Sequence, residues 1–244
     1  MHSSILINQV IFMNFVHILT FRSADAASRI SADDEQSLRS FILDSPGLLR
    51  AHFHTPSAAK DYYTDDGHSP VFVVEAYYQE LQQLETNLAE DGYLQGLNDL
   101  GQWPSLQACE CEHQVMMSRP FPVLEAREDL LDSQQCSYLV HYPGEAEDFF
   151  SWLNYYLSHH PQIMKFFPGI RAIEIYTRVD WIDALSWQRA NYMQRNKLVF
   201  DSPDVLTAAL NSPVRHDMRA DFEKFPAFTG ENRHFAMLTT SVTK

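Results

Sequence analysis

The side chains best suited to proton chemistry in this chain are His159 and His160, in "YYLSHHPQIMKFFPGIR" (155–171). An imidazole titrates near neutrality, so either ring could take a proton from a carbon beside a carbonyl and return it elsewhere. The competing reading is a helix-end histidine that meets the last carbonyls and the helix dipole. Tyr138 and Tyr142 share one face of an alternating run, with Val140 between them. Phenols placed there suit the stabilisation of an enolate oxygen, although tyrosines on a strand also serve as packing residues. Tyr176, Arg195 and His234 lie on later runs and offer further groups to hold an anionic intermediate or substrate. Trp181 and Trp187 lie in "VDWIDALSWQRANY" (179–192), an aromatic-rich connection able to roof an apolar cavity.

Other chemistries have weaker support. His52 and His54 alternate and share a face, and His68 or His113 could join them, but no third ligand is defined and no metal is expected. Cys109 and Cys111 form C-x-C rather than C-x-x-C, which alternate strand positions explain. Three cysteines are an odd count without framework spacing, which argues against a secreted disulfide scaffold. Gly-rich phosphate loops and the G-x-S-x-G elbow are missing, which disfavours nucleotide enzymes and serine hydrolases. A formal charge of −14 repels phosphate backbones, so nucleic acid is a poor partner. The expected partner is a small hydrophobic molecule, with no cofactor and no membrane.

The elements that must position these residues come in two sets. Pro46-Gly47 matches Pro168-Gly169 at an offset of 122, and the same offset places Tyr78 on Phe200 and Leu84 on Leu206. It also lays 14–21 over 136–143, and 108–117 over 230–239. One constant offset across separated segments indicates an internal duplication. In the second half, "CSYLVHY" reads as a strand. Phe149, Trp152, Leu153, Tyr156 and Leu157 have the spacing of a buried helical stripe. Pro161 is expected to interrupt that helix. "IRAIEIYTRV" and "QRNKLVF" read as strands two and three. Ser202-Pro203-Asp204 opens a helix that runs toward Phe225 with a break at Pro213, and "NRHFAMLTT" is strand four.

The order is β-α-β-β-α-β, twice: an α+β chain of two ferredoxin-like repeats, at 13–122 and 135–244. Two such sheets packed face to face within one chain would close an α+β barrel around a cavity, the default place for a small-molecule site. A monomer acting as a pseudo-dimer, or a homodimer, is expected. The apolar stretch 5–21 looks like a signal peptide, but no Lys or Arg precedes Arg22. It is better read as a first strand after a short extension, with Met13 as an alternative start. A cytoplasmic protein is expected.

"YYLSHHPQIMKFFPGIR" followed by "NKLVFDSPDVLTAALNSP" resembles the EthD family of dimeric α+β barrel proteins. Phe200, Ser202, Ala208, Ala209, Leu210 and Ser212 carry the second part of the likeness. The resemblance covers about 136–240 and implies a small hydrophobic or aromatic substrate. Counting back from the proline as the family does selects His159, whereas counting back from Pro-Gly selects His160. Ser37 and Leu38 stand at the equivalent positions of the first half, which places a site in the second. The implied activity is a cofactor-independent lyase, dehydratase, isomerase or cyclase acting on an aromatic or polyketide-like compound, and related barrels include cofactor-free oxygenases. A non-catalytic binding or accessory protein and a heme-binding barrel are the alternatives.

Overall fold

The computed structural model describes residues 13–126 and 134–244. The N-terminal extension, 1–12, lies outside them. The first half runs β1 (Asn14–Arg22), α1 (Ala32–Leu43), β2 (Leu48–Pro56), β3 (Phe72–Tyr78), α2 (Leu81–Leu88), three short 3-10 turns between Tyr93 and Leu106, and β4 (Glu110–Phe121). The second half runs β5 (Gln135–Tyr142), α3 (Phe149–Met164), β6 (Ile170–Arg178), the two-residue β7 (Gln188–Arg189), β8 (Gln194–Phe200), α4 (Pro203–Leu210), α5 (Pro213–Phe222) and β9 (Arg233–Thr243).

Each half has the same strand order, β4-β1-β3-β2 and β9-β5-β8-β6. The sheets do not simply face each other. Their edges pair, β2 with β9 and β4 with β6, both antiparallel, so eight strands close into one barrel. Closure leaves no unpaired edge among those eight. The connections cross over. The segment between β2 and β3 lies against the second half, where Asn211 Nδ2 donates to the Lys60 carbonyl at 2.9 Å. The segment between β6 and β8 lies against the first half, where the Ala184 N–H donates to the Leu88 carbonyl at 2.9 Å.

Alternation along each strand separates two environments. Outward residues pack under helices. One cluster joins Leu19, Phe21, Val74 and Tyr78 to Leu38, Ile42 and Leu84, and the other joins Tyr138, Tyr142 and Leu198 to Trp152, Tyr156 and Leu206. Each fully buried aromatic or leucine adds about 1.5–3 kcal/mol of transfer free energy. Gly47 and Gly169 take φ of +73° and +74° after α1 and α3, so both halves use glycine for the same left-handed stop.

Inward residues fill the barrel. Val16, Ile18, Val73, Tyr77, Met116, Leu139, Tyr176, Phe235 and Met237 form one apolar cluster. Beside it lies a charged one, in which Lys197 Nζ donates to Glu75 Oε2 at 2.6 Å, to Tyr77 Oη at 2.8 Å and to His52 Nδ1 at 2.6 Å. An eight-stranded barrel is just wide enough for its side chains to meet. The shared central hollow expected from the sequence is therefore a packed, partly ionic core, and the cavity lies elsewhere.

Two other expectations change. Helix α3 continues through Pro161 to Met164 instead of breaking. The proline ring removes one helical donor, and the burial of His160, Pro161 and Met164 against the second core favours keeping the last turn helical. The duplication also has two offsets. Leu48 pairs with Tyr78 and Ile170 with Phe200, each beside a bulge, which preserves 122. Phe15, however, stands opposite Tyr78 as Cys136 stands opposite Phe200, which gives 121 for the first strand. His17 thus corresponds to Tyr138. His113 corresponds to His234, because Val115 faces His17 as Ala236 faces Tyr138.

Candidate active site

The pocket opens on the outer face of the second half's sheet, beneath α3, α4 and α5. Strand residues Tyr138, Val140, Tyr142, Asn196, Leu198 and His234 form its floor. Met164, Phe167, Leu210, Met218 and Phe222 supply apolar walls, and Thr64 reaches in from the β2–β3 connection. Its cavity volume is about 60 Å³.

His160 lies in this wall, 4% exposed, with Nδ1 2.7 Å from Asp221 Oδ2. An ionised carboxylate can only accept, so Nδ1 carries the proton and Nε2 is the ring nitrogen left for a ligand. Burial lowers the His160 pKa, against the opposing pull of Asp221, so the ring is neutral at pH 7 and able to accept a proton. Burial also raises the Asp221 carboxyl, but the bonds from His160 and Tyr155 outweigh it and hold it below the usual range. Asp221 shares the α5 face with Arg215 and Met218, at spacings of three residues. This puts an acid opposite the helix that carries the histidine.

His159 is placed differently. It is exposed, bonds the Tyr155 carbonyl through Nδ1 at 2.9 Å and stacks on the Tyr155 ring at 4.2 Å. That is the helix-surface role, and it comes from a 100° turn between neighbouring residues of α3.

Tyr138 and Tyr142 do reach the pocket, but their hydroxyls are engaged. Tyr138 donates to Asp61 Oδ2 at 2.7 Å, and burial, with the Asp61 charge, raises its pKa well above the ordinary value. Asp61 comes from the other half and is gripped by Arg215 through Nε at 3.0 Å and Nη2 at 2.9 Å. Tyr142 is 2% exposed among Trp152, Tyr156, Phe225 and Phe228, and burial raises its pKa too. His234 stacks on Tyr138 at 5.4 Å and pairs with Asp66 through Nδ1 at 2.7 Å.

The remaining candidates lie elsewhere. Tyr176 points into the barrel, donating to Glu174 Oε2 at 2.7 Å, because it alternates with the outward Ile175. Arg195 also points inward, over the Tyr192 ring at 4.2 Å. Trp181 and Trp187 cover the first half. Trp181 packs on His113 with centroids 5.0 Å apart, and Trp187 packs on Phe21 at 5.2 Å. Their connection crosses to the opposite half, which strand order alone does not reveal. Of the histidines considered for a metal, His113 is on the outer face and bonds His17 at 3.0 Å. His68 is held by the Ser23 carbonyl at 3.0 Å.

Sequence reasoning missed Asp61, Asp221, Arg215 and Asn196. Asp221 and Arg215 had a signal, being charges in register with Met218 and next to Phe222 on a helix stripe. Asp61, in "AAKDYYTDDG", had none.

The fold is shared with solved structures. An anthrone oxidase-like protein superposes with a TM-score of 0.59 at 11% identity, over 94% of this chain and 93% of the other. A candidate monooxygenase from Fusobacterium nucleatum gives 0.54 at 11% identity, over 95% of each chain. Another from Lactobacillus acidophilus gives 0.51 at 9% identity, over 95% of this chain and 96% of the other. No family model matches the chain, and no curated protein matches it. The chain has the dimeric α+β barrel fold, with both halves supplied by one polypeptide. No helix among the described residues is long and apolar enough to cross a membrane.

Proposed function

We propose that the chain is a cofactor-independent enzyme acting on a small hydrophobic compound, aromatic or polyketide-like, that carries a carbonyl. The reaction class is proton abstraction leading to elimination, isomerisation or cyclisation. The observation that carries this reading is the buried His160–Asp221 pair at the wall of an apolar pocket.

In this reading, His160 Nε2 removes a proton beside the substrate carbonyl, and Asp221 stabilises the resulting imidazolium and fixes the tautomer. Asp221 is thus a positioning residue. The enolate needs a donor, and Tyr138 gives its proton to Asp61. Arg215, which lines the pocket while Asp61 engages its Nε and Nη2, is the donor in this reading. Tyr138 and His234 form a stacked polar floor, and Met164, Phe167, Met218 and Phe222 receive the apolar body. The EthD-like motifs at 155–171 and 196–213 favour the same substrate class.

The test is mass spectrometry of ligand that co-purifies with the protein, followed by turnover of that compound. His160→Ala is expected to lower kcat by at least about a hundredfold, the usual scale of a lost general base. His159→Ala is expected to leave it within about twofold. Equal activity of both variants and the wild type would refute the mechanism.

A further inference from the structure

The barrel interior holds a second group of side chains with a chemistry of its own. His52 and His54 point inward from β2, and Glu75 points inward from β3. One nitrogen or oxygen from each lies within 4.8 Å of the others. Glu75 Oε2 is 3.5 Å from His52 Nδ1 and 3.5 Å from His54 Nε2. A tetrahedral ion with bonds of about 2.0–2.2 Å to nitrogen and oxygen separates its ligand atoms by about 3.3–3.6 Å. Both separations match those edges.

The hydrogen bonds around His54 fix which atom faces the group. With Thr239 Oγ1 donating to Ser137 Oγ at 2.7 Å, the matching tautomer of His54 has Nδ1–H donating to Thr239 Oγ1 at 2.9 Å. Nε2 then carries a lone pair. It is buried without a hydrogen-bond partner, in a ring that is 0% exposed, and it faces a carboxylate oxygen. The Lys197 ammonium lies 2.6 Å from the same carboxylate oxygen, and a metal ion between the two acceptors would satisfy both. The Thr239 contact is also the outer-shell bond that commonly orients a ligating histidine.

We propose that His52, His54 and Glu75 bind a divalent transition metal such as zinc in the core of the barrel. Two imidazoles and a carboxylate suit that class of ion, and too few oxygen ligands are present for calcium. Lys197 competes for the position, because its ammonium lies 2.6 Å from both His52 Nδ1 and Glu75 Oε2. Metal entry turns it toward Glu174 Oε2, now 3.1 Å away, and Tyr77 Oη, now 2.8 Å away. The proposal does not depend on the outer pocket or its chemistry.

The experiment uses the whole chain, stripped with a chelator and titrated with cobalt(II) or zinc(II). Cobalt is expected to give the visible absorption of a four-coordinate nitrogen–oxygen site at about one equivalent, and zinc to raise Tm. His54→Leu and, as a second variant, His52→Leu are expected to lose both responses while keeping the wild-type circular dichroism. His68→Leu, remote from the group, is expected to retain them. A wild type with neither cobalt spectrum nor zinc-dependent Tm overturns the proposal and leaves the group as an internal ion-pair network. So does a folded His54→Leu that binds like the wild type.

Discussion

Replacing Asp61 with alanine tests how the two halves hold the pocket between them. Asp61 sits 154 residues before Arg215, yet its carboxylate accepts from Nε and Nη2 of that guanidinium and from the Tyr138 hydroxyl. The pair is enclosed, with side chains 4% and 11% exposed. Removing one member of a buried ion pair costs about 3–5 kcal/mol, because the other charge stays buried and uncompensated. The Tyr138 hydroxyl also loses a charged acceptor, a bond of about 1.5–3 kcal/mol that partly overlaps the first loss. Asp61→Ala should therefore lower unfolding free energy by about 4 kcal/mol, measured as the shift of the urea midpoint at constant m. Arg215→Met added to Asp61→Ala removes the stranded charge and should recover at least about 2 kcal/mol, a coupling within the range for residues in one network. A single-variant loss below about 1 kcal/mol, or no recovery in the double variant, would mean that the clasp is solvated and that the reasoning fails. The pH dependence has a definite sign. Burial raises the Asp61 carboxyl, but Arg215, the Tyr63 N–H and Tyr138 outweigh it and hold it below the usual range. Its stabilisation is present above the unfolded value near 4 and is lost as pH falls through the folded one.

Acid should destabilise the fold before the carboxylates protonate. Burial holds His17 and His141 well below their ordinary value and lowers His113 to about 4, so the folded rings stay neutral where unfolded ones charge. The unfolded state binds more protons below about 6.5, and at pH 5.5 His113 alone accounts for about 1.2 kcal/mol lost relative to pH 7. Denaturation midpoints that stay flat between pH 7 and 5 would contradict this. Gly169→Ala should cost at least about 1–2 kcal/mol, since φ is +74° and an added Cβ would meet Val205 Cγ1 at 2.5 Å. An unchanged Tm for that variant would show that the turn has another conformation.

The fold was legible because its signals are local and repeated. Alternation in 135–142 and 194–200, the Ser202 cap before Pro203 and the paired Pro-Gly stops each specify an element without knowledge of the rest. The register of the repeat was less legible. A one-residue change of offset swaps the faces of a strand, so 122 set Tyr138 against Val16, an inward residue, where 121 sets it against the outward His17. The lining of the candidate pocket was legible on α3 and β5 but not where it depends on crossing connections. Asp61 and Asp221 reach Tyr138 and His160 from 77 and 61 residues away, and Trp181 and Trp187 go to the other half. Nothing in local periodicity encodes which surface a loop will cover.

The corrected register explains why only one of two equivalent places became a pocket. His17 and His113 occupy the positions of Tyr138 and His234, but they bond each other at 3.0 Å, with Trp181 packed over them. Asp183 stands 3.7 Å from His113 as Asp66 stands against His234, each on the connection contributed by the opposite half. The frame around the two places is therefore the same. The difference is above the sheet. Leu38 takes the place of His160, and the 3-10 turns that replace α5 press Leu94, Leu97, Trp103 and Leu106 into the space, all essentially buried. A cavity left unfilled costs on the order of 24 cal/mol per Å³ in lost packing, about 1.4 kcal/mol for the volume of about 60 Å³. The first half removes that cost by filling the space. The second half keeps the space open and lines it with His160, Asp221 and Arg215, whose buried polar atoms are otherwise a burden to folding. Retaining both a void and buried charges in one half, while the other half of the same barrel dispenses with them, is what selection for a ligand at that pocket predicts.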